Sequence, residues 1–214
     1  MARHAPIFHN IAQAAGIKLR ANVARPWLTC NGHLKPEIGE QLPADVVKAL
    51  DRIIVALGGD AEALAAKTRG SMTADFLLEP DGVVVEYDEI QHFTTARGTT
   101  LALYPAGAPL GFDLAAYAQT VKHWRARGDR GFAHKQAPEF PGVAGRQRQR
   151  AYFDALRDLA APHFDDGPLI RIAAPGNDYA AAVATLQTAA RIGWLASPRP
   201  SPAGRSRRGM RPMR

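Results

Sequence analysis

The stretch MTADFLL (72–78), EPDG (79–82), VVVEYD (83–88) decides how this chain is read. Apolar, β-branched and aromatic residues run on either side of a Pro- and Gly-bearing tetrad, the pattern of strand, turn, strand. Pro80 and Gly82 suit positions i+1 and i+3 of a type I turn. A four-residue turn sets Leu78 opposite Val83, so Asp75 falls directly opposite Glu86, with Cβ atoms about 5 Å apart. Side chains two apart share a face of a strand, so Val84, Glu86 and Asp88 point one way and Val83, Val85 and Tyr87 the other. Like charges directly opposed in a sheet are destabilising. Three carboxylates (Asp75, Glu86, Asp88) on one face of a core-like hairpin therefore need a cation, and a hard divalent ion, Mg2+ or Mn2+, supplies one. The alternative is a hairpin at a sheet edge, its carboxylates solvated or paired with arginine.

Outward from the hairpin, residues 8–20 read as a short helix and 21–41, with Pro26, Pro36 and Gly39, as irregular. Val46, Val47, Leu50, Ile53, Ile54 and Leu57 recur at three- and four-residue spacing, an amphipathic helix stopped by Gly58-Gly59. Residues 61–67 add another turn or two. Segments 95–104 and 113–127 read as helices, the second with Asp113 as N-cap, and Gly- and Pro-rich 128–145 as a loop. Residues 146–161 form a helix with Tyr152, Phe153, Leu156 and Leu159 inward, 169–172 (LIRI) a strand and 178–194 a closing helix. This order predicts a mixed α/β fold. The expected organisation is an N-terminal helical region, 1–70, packed on a core, 71–196, that carries an insertion, 94–145.

The charge is unevenly spread. The chain has 27 Lys+Arg and 20 Asp+Glu in 214 residues, a net +7, with a pI of about 9.9. Residues 197–214 hold six arginines and no acid, and their Pro, Gly, Ser and Arg predict a disordered basic tail. A second basic cluster, Lys122, Arg125, Arg127, Arg130, Lys135, Arg146, Arg148 and Arg150, lies among only two acids, Asp129 and Glu139. What remains is acidic on balance. Basic groups to hold a polyanion, apart from an acidic pocket, point to nucleic acid. The single cysteine, Cys30, excludes an intramolecular disulfide and fits a reducing compartment. No apolar stretch approaches the roughly 18–20 residues of a membrane span, and MARHAPIFHN lacks a signal-peptide pattern. A cytoplasmic location is the expectation.

ADFLL (74–78) followed by VVEYDEIQHF (84–93) resembles the active-site hairpin of the PD-(D/E)XK nuclease superfamily, and most closely its very-short-patch-repair-type endonuclease branch. The helix and strand of 146–172 are similar to those that follow the hairpin in that family. The resemblance implies a restriction-endonuclease-like core and metal-assisted hydrolysis of DNA phosphodiesters. It makes Asp75, Glu86 and Asp88 the Mg2+ or Mn2+ ligands, with Asp88 where other branches carry Lys, and His92 the group that positions or deprotonates water. It also implies that Lys135, Arg146, Arg148 and Arg150 contact nucleic acid. Glu89 stands where the branch commonly has Gly. A catalytically inactive nuclease-fold module that binds nucleic acid or a protein partner, and action on RNA, are the rival readings.

Other candidates are weaker. Cys30-x-x-His33 has half of a zinc-site spacing without a second pair. His123-Trp124-Arg125 would stack on a base or anchor its helix to the core, and the anchor is the simpler reading.

Overall fold

A computed structural model describes residues 4–80, 82–131, 133–164 and 167–193. The predicted tail, 197–214, lies outside them. In chain order the elements are α1 (Ala5–Ala14), β1 (Leu19–Thr29), α2 (Pro36–Gly39), α3 (Ala44–Ala56), α4 (Ala61–Ala65), β2 (Ser71–Leu78), β3 (Val83–Asp88), α5 (Thr95–Leu101), α6 (Leu114–Arg130), α7 (Gly145–Ala160), β4 (Ile170–Ala173) and α8 (Tyr179–Gly193). The sheet runs β1-β2-β3-β4, antiparallel across the first two junctions and parallel between β3 and β4. The chain is thus mixed α/β, a four-stranded mixed sheet flanked by helices.

The hairpin has the expected register: Leu78 faces Val83, Leu77 faces Val84 and Phe76 faces Val85. The connection is closed by the Gly82 N–H donating to the Leu78 carbonyl at 2.8 Å, and the Glu79–Pro80 peptide is cis. Gly82 takes φ +79°, a conformation that glycine adopts without steric cost.

Alternation along β3 divides the molecule into layers. Val83, Val85 and Tyr87 join Phe76, Leu78, Ile170 and Ile172 in a core beneath α1 and α8, with the Phe8 ring stacked 4.6 Å from that of Tyr87. Val84 and Leu77 enter a second core with α3 and α7. A smaller cluster of Phe93, Leu101, Tyr117 and Val121 joins α5 to α6. All six residues of β3 are buried, so the carboxylates of Glu86 and Asp88 point into the layer occupied by α7 and not into water. The hairpin is therefore not at a sheet edge, since β3 is central and β2 is covered by β1, but the other half of that alternative holds: Glu86 and Asp88 are paired with arginines, Arg157 and Arg171.

One segment departs from expectation. Residues 19–29, read as irregular, form the edge strand β1, and α2 follows within the same stretch. Pro26 is tolerated because the β1–β2 register is irregular between Ala24 and Thr29, where no ladder hydrogen bond is required of it. Residues 1–70 thus give a strand to the shared sheet in addition to their helices. The first helix also begins earlier than expected, at Ala5, and α6 continues to Arg130. Asp113 caps α6 as predicted, accepting the Ala116 N–H at 2.9 Å. Among the described residues, no helix is long and apolar enough to cross a membrane.

Candidate metal centre

β3 ends at Asp88 and runs directly into a 3-10 turn, Ile90–His92, that folds the imidazole of His92 back over the strand end. His92 Nδ1 lies 2.9 Å from Asp154 Oδ2 on α7 and 3.3 Å from Asp88 Oδ1. One ligand atom from each of Asp88, His92 and Asp154 lies within 4.8 Å of the others, a group that could hold a metal ion. Asp88 and Asp154 are buried, while the His92 side chain keeps 15% of its surface exposed. Its second ring nitrogen, Nε2, has no hydrogen-bond partner among the described residues.

Behind this trio stands a buried ionic network. Arg171 of β4 bonds both Asp88 oxygens through Nη1 (2.8 and 2.9 Å), Asp158 through Nε (2.6 Å) and the Asp154 carbonyl through Nη2 (3.1 Å). Tyr117 of α6 donates to Asp88 Oδ2 at 2.8 Å. Arg97 of α5 bonds Asp158 at 2.6 Å and lies 5.2 Å from the Tyr117 ring centroid. Tyr104 donates to the same Asp158 oxygen at 2.6 Å. Burial by itself would raise Asp154, but His92 and Arg171 hold its carboxyl well below the usual range. Burial drives the Tyr117 phenol far up, and the Asp88 charge adds to that. Tyr117 is thereby fixed as a proton donor to Asp88.

The other predicted ligands are placed differently. Asp75 and Glu86 are not members of the close trio. Glu86 pairs with Arg157 of α7 at 3.2 Å, and burial, reinforced by Asp75, pushes its carboxyl up to about 8 against the pull of Arg157 and Arg171. Asp75 accepts the Tyr87 N–H at 3.0 Å, and burial also raises it. The hairpin face thus gathers Asp75, Glu86, Asp88, Asp154 and Asp158 around three buried guanidiniums, Arg97, Arg157 and Arg171. With half-buried Arg150 at the rim, the cations match the five carboxylates only when His92 is charged as well. A proton on Glu86, or a bound cation, would ease the same balance.

The predicted nucleic-acid contacts divide as well. Arg148 is committed to the fold: it donates to the carbonyls of Leu57, Gly58, Phe140 and Pro141 and so ties α7 to the end of α3. Arg146 bonds Gln149 and is otherwise exposed. Arg150 donates to the Gln91 carbonyl at 3.4 Å, and burial, with Arg146 beside it, lowers its pKa. Lys135 is exposed. Cys30 bonds Thr68 and Gly70, whereas His33 bonds Tyr152 and Asp51, so the two do not share a ligand site. Trp124 packs with the Phe93–Tyr117 cluster, as an anchor would.

Sequence reasoning missed Asp154, Arg157, Asp158, Arg171, Arg97 and Tyr117. The available signal was a charge inside the short apolar strand LIRI and acids four residues apart on a helix with an apolar face. Such groups are buried only when paired. No protein-family model, curated protein or solved structure matches this chain.

Proposed function

We propose that the chain is a divalent-metal-dependent nuclease acting on DNA, with Asp88, His92 and Asp154 as the metal-holding group and Mg2+ or Mn2+ as the ion. The observation that carries this reading is the convergence of one imidazole and two carboxylates at the end of β3. The donor set fits: carboxylate oxygens suit a hard cation and the imidazole admits Mn2+. The resemblance of the hairpin to PD-(D/E)XK nucleases agrees in the order of its parts, with Asp75 and Glu86 each next beyond the last ladder pair, Phe76–Val85, and His92 just after the second strand.

A bound ion would polarise a phosphoryl oxygen and acidify a water molecule. The protein's own residues do the rest. Asp154, held ionised by His92 and Arg171, fixes the imidazole by its Nδ1 edge. With Nδ1 taken up by an ion, Nε2 would carry the ring N–H and donate it to a phosphate oxygen at the exposed edge of the site. Arg150 at the rim offers a guanidinium for charge developing on phosphate. An ion held by these three groups would take the place of the direct contacts of Nδ1 with Asp88 and Asp154.

A specific observation favours a second reading, the inactive module: both Asp88 oxygens are already satisfied by Arg171 and Tyr117, and Glu86 is ion-paired with Arg157, although its Oε1 accepts no hydrogen bond. Nicking of supercoiled plasmid with Mg2+ or Mn2+ separates the two. The nuclease reading expects nicking by the wild type, lost in chelator and lost in His92→Gln and Asp154→Asn. An unreactive wild type that still binds DNA selects the module.

A further inference from the structure

The segment between the 3-10 turn of His92 and α7 contributes α6, whose two sides differ sharply. Tyr117, Val121 and Gly128 are buried, and Trp124 is half-buried beside them. At 100° per residue these lie on one side. The outer side carries Lys122, His123 and Arg130 along its middle, with Arg125 and Arg127 on its flanks, all exposed. Its only neighbouring acid within the helix, Asp129, is half-buried and engaged by the Thr95 N–H and hydroxyl at 2.8 and 2.7 Å. None of Lys122, Arg125, Arg127 or Arg130 takes part in an ion pair among the described residues, and Arg127 lies 5.6 Å from the Trp124 ring centroid. Elsewhere Arg20 pairs with Glu79 and Arg69 with Glu37, while exposed Arg52 and Arg146 are outside any ion pair among the described residues; α6 differs in carrying four such cations on one helix. A run of four cations without acid partners destabilises a free helix by self-repulsion, and only the last turn gains from the helix dipole. This face is built to meet a polyanion.

The same helix touches the metal centre at two points. Tyr117 bonds Asp88, and Gly128 packs against the backbone of Ile90 and Phe93, the residues bracketing His92. The cations lie on the opposite side of α6 from these two contacts, one helix diameter, roughly 10 Å, away, so a polyanion gripped there is held near the His92 turn with the helix between them. We propose that the outer face of α6, through Lys122, Arg125, Arg127 and Arg130, is the surface that grips the phosphate backbone of duplex DNA and holds it near the His92 site. This rests on the reading of the chain as a protein that acts on DNA. It moves the contact surface from Arg148, which the fold consumes, to the insertion. DNA is favoured over an anionic membrane because none of the exposed large hydrophobic residues, Ile7, Ile11, Val55 and Val143, lies on α6, and an interfacial helix needs an apolar face to insert.

The test is fluorescence anisotropy of a labelled duplex titrated with the full chain, in chelator, over a series of salt concentrations. The triple variant Lys122→Gln/Arg125→Gln/Arg130→Gln should bind about tenfold or more weakly at moderate salt. Its slope of log K against log salt should be shallower by about 2 to 3, since each phosphate left without its cation removes about 0.9 from the slope. The control Arg20→Gln/Arg69→Gln, which removes charges already paired, should keep the wild-type slope. An unchanged slope in the triple variant overturns the proposal. So does a wild type that binds no duplex, or one that prefers phosphatidylserine vesicles to DNA. Because binding is read without metal, a wild type that grips DNA through α6 but never nicks it refutes the nuclease reading alone.

Discussion

Arg171 stands opposite Glu86 in the β3–β4 ladder, yet its guanidinium bonds Asp88, two residues further along the strand, at 2.8 and 2.9 Å. The reach along the strand lets one side chain neutralise Asp88 and Asp158 while leaving Glu86 to Arg157. Removing it would leave buried Asp88 to Tyr117 and His92, and buried Asp158 to Arg97 and Tyr104. Arg171→Met is expected to cost about 3–5 kcal/mol, the penalty of breaking a buried pair by deleting one partner, read from urea unfolding. A loss below about 1 kcal/mol would mean that water or another cation replaces the guanidinium.

Glu86 is left with too little positive charge. Its folded pKa of about 8 lies above the ordinary glutamate value, so the folded chain holds this proton more tightly than the unfolded one. The stability that proton confers is present below the ordinary glutamate range and is lost as pH rises through about 8. Burial raises Asp75 in the same direction. Glu86→Gln mimics the protonated acid and cannot ionise. Its melting temperature should fall less than that of the wild type between about pH 5 and 9, the two curves converging at the acid end. Parallel curves would show that Glu86 is ionised in the fold.

These partnerships mark the limit of what the sequence carries. The hairpin, its register and the placement of Glu86 and Asp88 on one face were legible, because turn length and a period of two fix them locally. β1 was not, since LRANVARPWLT mixes charged, small and Pro residues on an edge strand whose partner is set only by the assembled sheet. The network was not legible for a further reason. Arg171 meets Asp88 through a parallel pairing, and parallel strands are joined by a crossover whose geometry no local spacing reports. Asp154 and Asp158 could be assigned to a helix, but the roll of α7 that turns them toward β3 is decided by Tyr152, Phe153 and Leu156 filling the other core.

A metal ion that binds only the folded chain must raise its stability. At a hundredfold excess over its dissociation constant the gain is about 2.7 kcal/mol. Mn2+ and Mg2+ are therefore expected to raise the melting temperature of the wild type. His92→Gln and Asp154→Asn should melt at a temperature that no longer responds to either ion. Equal shifts in wild type and variants would place the ion elsewhere.

His33 gives a pH effect of opposite sign. Tyr152 accepts the His33 backbone N–H at 3.3 Å and pairs with Nδ1 at 2.8 Å, so the ring proton sits on Nε2 and is donated to Asp51 at 3.0 Å. Burial lowers the His33 pKa, and Asp51 acts to restore it. The unfolded chain therefore takes up a proton first, and stability is lost as pH falls through the ordinary histidine range. Asp51→Asn removes the restoring charge. It should steepen the loss between about pH 7 and 5 while changing stability at about pH 8 by no more than about 1 kcal/mol. An unchanged slope would show that Asp51, which is exposed, exerts no hold on the ring.

Where α6 crosses the 3-10 turn of His92, it does so at a residue without a side chain. Gly128 lies so near the Phe93 and Ile90 carbonyls that an added Cβ would overlap the backbone of the turn carrying His92. Backbone cannot rotate away as a flexible side chain can, so Gly128→Ala must shift either α6 or the 3-10 turn. Overpacking of this kind costs about 1–3 kcal/mol. The variant keeps every charge on the outer face of α6 and every metal-binding side chain. Its thermal response to Mn2+ should weaken while its salt-dependent DNA affinity is retained, because displacing the turn disturbs His92 but not the phosphate-gripping surface. Loss of DNA affinity with the Mn2+ response intact would mean that the helix, and not the turn, had moved.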